Sequence, residues 1–110
     1  MRGQFNDTAK IISNGEGLEV TGPLDWEPDE SGAVIHVRVT QEQQNGEGRV
    51  VATGDSAYTP SGAGTWSASL TTLQGTLRPG VADAKARASV SLNNGHTEPY
   101  AWPDTVDLVP

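Results

Sequence analysis

The segment of residues 82–92 constrains the fold of this chain more than any other. Across it, alanine, valine and leucine at every second position alternate with charged or hydroxyl side chains. A period of two is that of a β-strand with one buried face, because a helix would spread the same charges around its axis. Since the buried positions are mostly alanine, the pattern also predicts that large side chains, the tryptophans, fill the space opposite.

The same alternation returns in shorter stretches and predicts an all-β chain. The predicted strands lie at residues 11–12, 18–21, 33–40, 50–51, 65–70, 82–92 and 106–108. Asn-Gly pairs at 14–15, 45–46 and 94–95 predict type I′ hairpin turns, which need two positive φ angles. We therefore expect a two-sheet antiparallel immunoglobulin-like sandwich of about seven strands, as a single domain over residues 1–110, with barrel closure as the alternative.

Composition excludes several classes of function. The 110 residues contain no cysteine, which rules out disulfides, thiolate metal sites and cysteine nucleophiles. The formal net charge of −7 gives no electrostatic reason to bind nucleic acid or an anionic membrane. We find no signal peptide and no apolar run of membrane-spanning length in this chain. The compartment stays open, and an extracellular or particle-surface location is compatible if a leader has been trimmed.

Two groups of residues and one strand share a pattern with a known family. They are Leu18, Val20, Trp26, Glu27 and Pro28, then Leu77, Arg78, Pro79 and Gly80 with Asn94 and Gly95, and the strand carrying Trp66, Ala68 and Leu70. Together they resemble bacterial immunoglobulin-like and fibronectin type III-like modules. The resemblance implies non-catalytic work such as adhesion, spacing, or protein or sugar contact. Asp83 and Ala84 stand where the family has a tyrosine, and the immunoglobulin cysteine pair is absent.

An acidic cluster is the first candidate for chemistry. Its carboxylates are those of Asp25, Glu27, Asp29 and Glu30. Hard oxygen ligands in one loop suit Ca²⁺, so these residues are candidate metal ligands, although Pro28 breaks the EF-hand template. The alternative is a solvated acidic loop, and no cofactor is predicted.

The two histidines are the basis of a remote hydrolase hypothesis. Gly54, Asp55 and Ser56 share the order of a protease nucleophile turn, and the candidate bases are His36 and His96. The hypothesis requires either histidine to meet at least two carboxylates in a pocket. The alternative places both histidines on open surface.

Aromatic residues are the candidate binding groups. Trp66 and Trp26 are expected in the core, which leaves Tyr100, Trp102 and Tyr58. Tyr100 and Trp102 flank Ala101 on one side of a predicted edge segment and would form either an exposed contact patch or a lid over the end of the fold. The remaining outward cations, among them Arg38, Arg49, Lys85 and Arg87, are expected to be isolated and to pair with carboxylates across strands.

These observations predict a non-catalytic structural or protein-interaction module. A protein partner or self-association would use an edge strand or the patch at Tyr100 and Trp102. The second hypothesis is a carbohydrate-binding module that stacks sugars on Tyr100, Trp102 and Tyr58.

Overall fold

The computed structural model describes residues 1–43, 48–60 and 64–110, and most of them lie in β-strands. The elements in chain order are β1 (Arg2–Gly3), β2 (Thr8–Ile12), a 3₁₀ turn (Ser13–Gly15), β3 (Gly17–Asp25), β4 (Glu30–Gln43), β5 (Gly48–Tyr58), β6 (Thr65–Thr72), β7 (Gly80–Leu92) and β8 (Thr97–Val109). Across these described ranges, no helix is long and apolar enough to cross a membrane.

Seven of the strands close into a barrel. The order is β3-β2-β8-β7-β4-β5-β6, and β6 pairs back onto β3 while β1 adds to the end of β3. The β2–β8 ladder is parallel and the others are antiparallel. The all-β prediction is confirmed. The two-sheet antiparallel sandwich was wrong, because the strands form a closed barrel of mixed pairing.

The error has a physical cause. Alternation reports which face of a strand is buried, and that face is the same in a sandwich and in a barrel. Closure depends on how strand edges join. Here it rests on two short ladders: β2 pairs with β8 over residues 8–10 and 107–109, and β5 pairs with β6 only through Ala52 and Thr53. No local sequence pattern predicts either of these two ladders.

The barrel interior carries the predicted alternation. On β4, Ile35, Val37 and Val39 are fully buried, and their partners in register on β7 are Ala88, Ala86 and Ala84. Large residues therefore face small ones across this pair of strands, which keeps the interior evenly filled.

Tryptophans occupy the space that the alanines leave. Trp66 is 1% exposed, and its ring meets those of Phe5 and Trp102 edge-on at centroid distances of 5.2 and 5.8 Å. Trp102 lies beside Ala86 in the β7–β8 register. The prediction that Trp66 belongs to the core is confirmed.

The hairpin turns differ in type. At Asn14 and Gly15 both φ angles are positive, 56° and 90°, and Glu16 N donates to Ser13 O, as a type I′ turn requires. Before His96, only Gly95 has a positive φ, and its N–H donates to Leu92 O. This hairpin therefore uses a type I turn followed by a left-handed glycine, and the type I′ prediction was wrong there. The pair at 45–46 lies outside the described residues.

The buried side chains of Glu30 and Gln41 are both hydrogen-bonded to residues distant in the sequence. The Met1 ammonium donates to Glu30 Oε2 at 2.6 Å, and the backbone N–H of Glu27 donates to Glu30 Oε1 at 2.6 Å. Gln41 receives the N–H of Arg78 and donates to its carbonyl oxygen. Both residues thus fix chain segments to the barrel, and neither is left free for a ligand.

Candidate functional site

The acidic residues at the start of β4 do not converge. Asp25, Glu27 and Asp29 are exposed, whereas Glu30 is buried with both carboxylate oxygens engaged by Met1 and by the Glu27 backbone. In the described part of the chain, no three His, Asp or Glu side chains come together as a metal site. The calcium hypothesis gains no geometric support from this arrangement, and it stays a prediction.

The histidines are far apart. His36 lies on β4 opposite Arg87, while His96 follows the end of β7 at Leu92. Leu92 is five residue steps along the strand from Arg87, which is about 16 Å. Both side chains are exposed.

His36 does meet one carboxylate. Its Nδ1 lies 2.6 Å from Asp55 Oδ1 on the outer surface. Ser56 follows Asp55 in the strand and turns the other way, and its Oγ donates to Ser67 O at 3.0 Å. Because neighbouring residues of a strand face opposite sides, serine, histidine and aspartate cannot form a triad here.

Tyr58 closes the seam between β5 and β6. Beyond Thr53 these strands no longer pair, and the Tyr58 hydroxyl takes the place of a backbone partner. It accepts from Ser67 N at 2.7 Å and donates to Ser67 O. The polar tip of this ring is therefore committed to the fold, and the ring itself packs against the core.

Tyr100 and Trp102 differ in how deeply they are buried. Trp102 is 8% exposed and lies over Gly3, where a Cβ would approach the indole ring to 2.5 Å. Its Nε1 is the one buried side-chain nitrogen or oxygen without a hydrogen-bond partner among the described residues. Trp102 therefore presents no face for stacking.

Tyr100 is half-buried at the mouth of the barrel. Its hydroxyl donates to Glu98 Oε2 at 2.8 Å. That hydrogen bond, followed by burial and by the negative charges of Glu98, Glu30 and Glu27, raises the pKa of Tyr100 to about 12. The ring is thus held in the neutral form by carboxylates that surround this end of the barrel.

The outer face of β4 and β7 concentrates positive charge. The register places Arg38 directly opposite Lys85 and His36 directly opposite Arg87, and all four side chains are exposed. We call these four residues the basic face. Three of the seven Lys and Arg residues of a chain with a net charge of −7 thus occupy two adjacent cross-strand pairs.

Carboxylates lie near this charge, since Asp83 and Asp104 share a depression with Arg38 and Lys85, but neither forms an ion pair with them within the described chain. Within the described ranges, the only ion pair that reaches the basic face is the one between Asp55 and His36. On the β8 side, the residues opposite Lys85 and Arg87 are Pro103 and Ala101, which carry no charge.

Two depressions lie on this surface. The four basic side chains alone line a depression of about 220 Å³. A wider, shallower one of about 590 Å³ begins at Arg38 and Lys85 and extends toward Asp104 and Thr105 on β8.

The expectation of isolated cations was therefore wrong for three of them. Only Arg49 behaves as expected, with Nη2 2.8 Å from Glu42 Oε1. Spacing by two residues already puts His36 with Arg38, and Lys85 with Arg87, on one face of each strand. What the sequence lacks is the identity of the neighbouring strand and the register that joins the two pairs.

Comparison with known proteins adds little to this geometry. The chain matches no family model and no curated protein. The solved structure of murine CRIg is similar with a TM-score of 0.47 and 10% sequence identity, over 97% of this chain and 94% of that chain.

Proposed function

We propose that this chain is a non-catalytic interaction module that binds an acidic segment of a partner protein on its basic face. The observation that carries the proposal is the register of β4 and β7, which sets Arg38 against Lys85 and His36 against Arg87. Like charges directly opposite in a sheet oppose folding, so the Arg38–Lys85 pair favours the binding of a counterion. A partner with clustered carboxylates supplies one.

The catalytic grouping considered from the sequence, His36, Asp55 and Ser56, does not assemble, which is compatible with the non-catalytic part of the proposal. His36 and Asp55 form an exposed dyad with no nucleophile beside them, because the Ser56 hydroxyl faces the β5–β6 seam. The apolar interior is filled by packed side chains, so contact must occur on the outside of the barrel. The resemblance to immunoglobulin-like and fibronectin type III-like modules, which do contact work, fits this role.

The aromatic residues that the sequence suggested as contact residues fit this role less well. Trp102 is buried, and the hydroxyl of Tyr58 is occupied by Ser67. Of the three aromatic residues considered for sugar stacking, Tyr100 alone keeps a half-exposed ring beside carboxylates. The carbohydrate hypothesis thus stays a prediction for the two half-buried rings, those of Tyr58 and Tyr100.

The test uses an octaglutamate peptide as the probe and isothermal titration calorimetry as the readout. We expect saturable binding that weakens as salt rises from about 0.05 to 0.5 M, since exposed charges are screened. Lys85→Glu should weaken binding at least tenfold, and the control Arg49→Gln should leave it unchanged because Arg49 lies outside the basic face. Absence of binding at low salt, or equal loss in both variants, would contradict the proposal.

A further inference from the structure

The basic face carries more donors than a carboxylate can use. Arg38 and Arg87 stand at diagonal corners of the four-residue arrangement, and Lys85 lies opposite Arg38 and two residues before Arg87 on β7. Each guanidinium offers five N–H donors in a planar fork, and the ammonium adds three. A carboxylate has two oxygens in one plane, whereas a tetrahedral oxyanion has three or four that point to different neighbours.

One depression joins the four side chains of the basic face. The four basic side chains alone line a volume of about 220 Å³. No carboxylate of the described chain enters that lining, and the nearest acid in contact, Asp55, is engaged by His36 Nδ1. Three of the four lining side chains, those of Arg38, Lys85 and Arg87, therefore carry a full positive charge and are open to solvent.

The scaffold fixes the backbone positions from which two of these side chains project. β4 and β7 pair without interruption from Gly32–Ser91 to Thr40–Asp83, and the inner face of both strands is fully buried. Arg38 and Lys85 thus project from a rigid wall and not from loops. Rigid placement lowers the ordering cost that a ligand must overcome.

We infer that the basic face is a binding site for a tetrahedral oxyanion ester, meaning a phosphoryl or sulfo group carried by the partner. Arg38 and Arg87 bind it through charge-assisted, forked hydrogen bonds, and Lys85 contributes a point charge. This inference rests on the proposed function, since it names the group that the same surface recognises.

The experiment is a two-dimensional ¹H–¹⁵N NMR titration of the intact chain. The probes are inorganic phosphate, sulfate and acetate at matched ionic strength, followed by a phosphoserine peptide and an O-sulfated disaccharide. We expect phosphate and sulfate to give saturable shifts confined to β4 and β7, with acetate at least tenfold weaker. The last two probes distinguish a phosphorylated partner from a sulfated glycan.

Matched variants locate the site. Arg38→Gln and Arg87→Gln should each weaken phosphate binding about tenfold, while Arg49→Gln should bind as the unchanged chain does. All three residues are exposed, and a thermal unfolding curve verifies that each variant folds. Shifts that fail to saturate, or that persist in both Arg38→Gln and Arg87→Gln, would overturn the inference.

The outcomes separate the two proposals. If acetate and octaglutamate bind as well as phosphate, the oxyanion inference fails and the acidic-partner proposal stands. If only the sulfated disaccharide binds, the oxyanion inference holds and the protein-partner proposal fails.

Discussion

The inner and outer faces of the β4–β7 pair differ in the kinds of residue that their shared register places opposite each other. Inside the barrel, Val37 lies against Ala86, a large side chain against a small one, and both are fully buried. Outside, Arg38 lies against Lys85, a positive charge against a positive charge. The inner face thus stabilises this register, and the outer face opposes it. The register is selected by the interior, so the residues of the exterior are not constrained by packing and can serve the proposed binding.

A charge introduced on the inner face should have the largest effect. Ala86→Glu puts an unpaired carboxylate at a position with no solvent exposure, beside Trp102. We expect the chain not to fold, because burying an isolated charge costs more than a domain of this size can offset. Circular dichroism should show loss of the β-sheet signal. Lys85→Gln, one residue away on the outer face, should keep it, and a folded Ala86→Glu variant would refute the inner-face assignment.

Removal of the central tryptophan tests the filling of the interior. Trp66→Ala should lower the free energy of unfolding by about 3–5 kcal/mol, as truncations of buried aromatic residues do. Trp66→Phe should cost less, because it keeps an aromatic ring near Phe5. Its remaining cost includes the loss of the 2.8 Å hydrogen bond from the indole N–H to Gln4 O. Denaturant unfolding measures both. A loss under about 1 kcal/mol for Trp66→Ala would mean that this ring is not central to the core.

The buried ion pair contrasts with the basic face, because it brings two opposite charges together in the interior of the protein. The Met1 ammonium meets the Glu30 carboxylate at 2.6 Å, and the side chains of both residues are at most 1% exposed. Glu30→Gln should destabilise by about 3 kcal/mol, because it leaves a buried charge without its partner. Glu27→Gln, at an exposed neighbour, is the control. Equal stability of the two variants in denaturant would show that the pair contributes nothing.

Tyr100, at the mouth of the barrel, can be tested by titrating its phenol group. With a pKa raised to about 12, Tyr100 keeps its proton in the folded state after it has lost it in the unfolded state at about 10. Its contribution to stability is therefore complete below pH 10 and disappears as pH rises toward 12. Absorbance at the phenolate band should show one tyrosine ionising late, and Glu98→Gln should move that step to lower pH. An unchanged step would remove Glu98 as the cause.

Much of the interior could be predicted from the sequence, because a buried face leaves a local period. The strand at residues 82–92, the inward valines of β4 and the position of Trp66 all follow from spacing by two. The turn at Asn14 and Gly15 follows from the φ angles that those residues tolerate.

What the sequence leaves open depends on partners far along the chain. The β2–β8 ladder joins residues about one hundred positions apart, and it decides between barrel and sandwich. In the sequence, Glu30 looks like one more exposed acid of a loop, and its burial depends on Met1, 29 residues away. The basic face needs the β4–β7 register, which no alternation within either strand specifies.

One pair of measurements on Lys85→Glu tests most directly that the outer face is kept for binding and not for folding. The change turns the Arg38–Lys85 repulsion into an attraction across the strands. We expect the free energy of unfolding to rise by about 0.2–1 kcal/mol and the affinity for octaglutamate to fall at least tenfold. A variant that is less stable, or that binds as tightly as the original chain, would contradict the account.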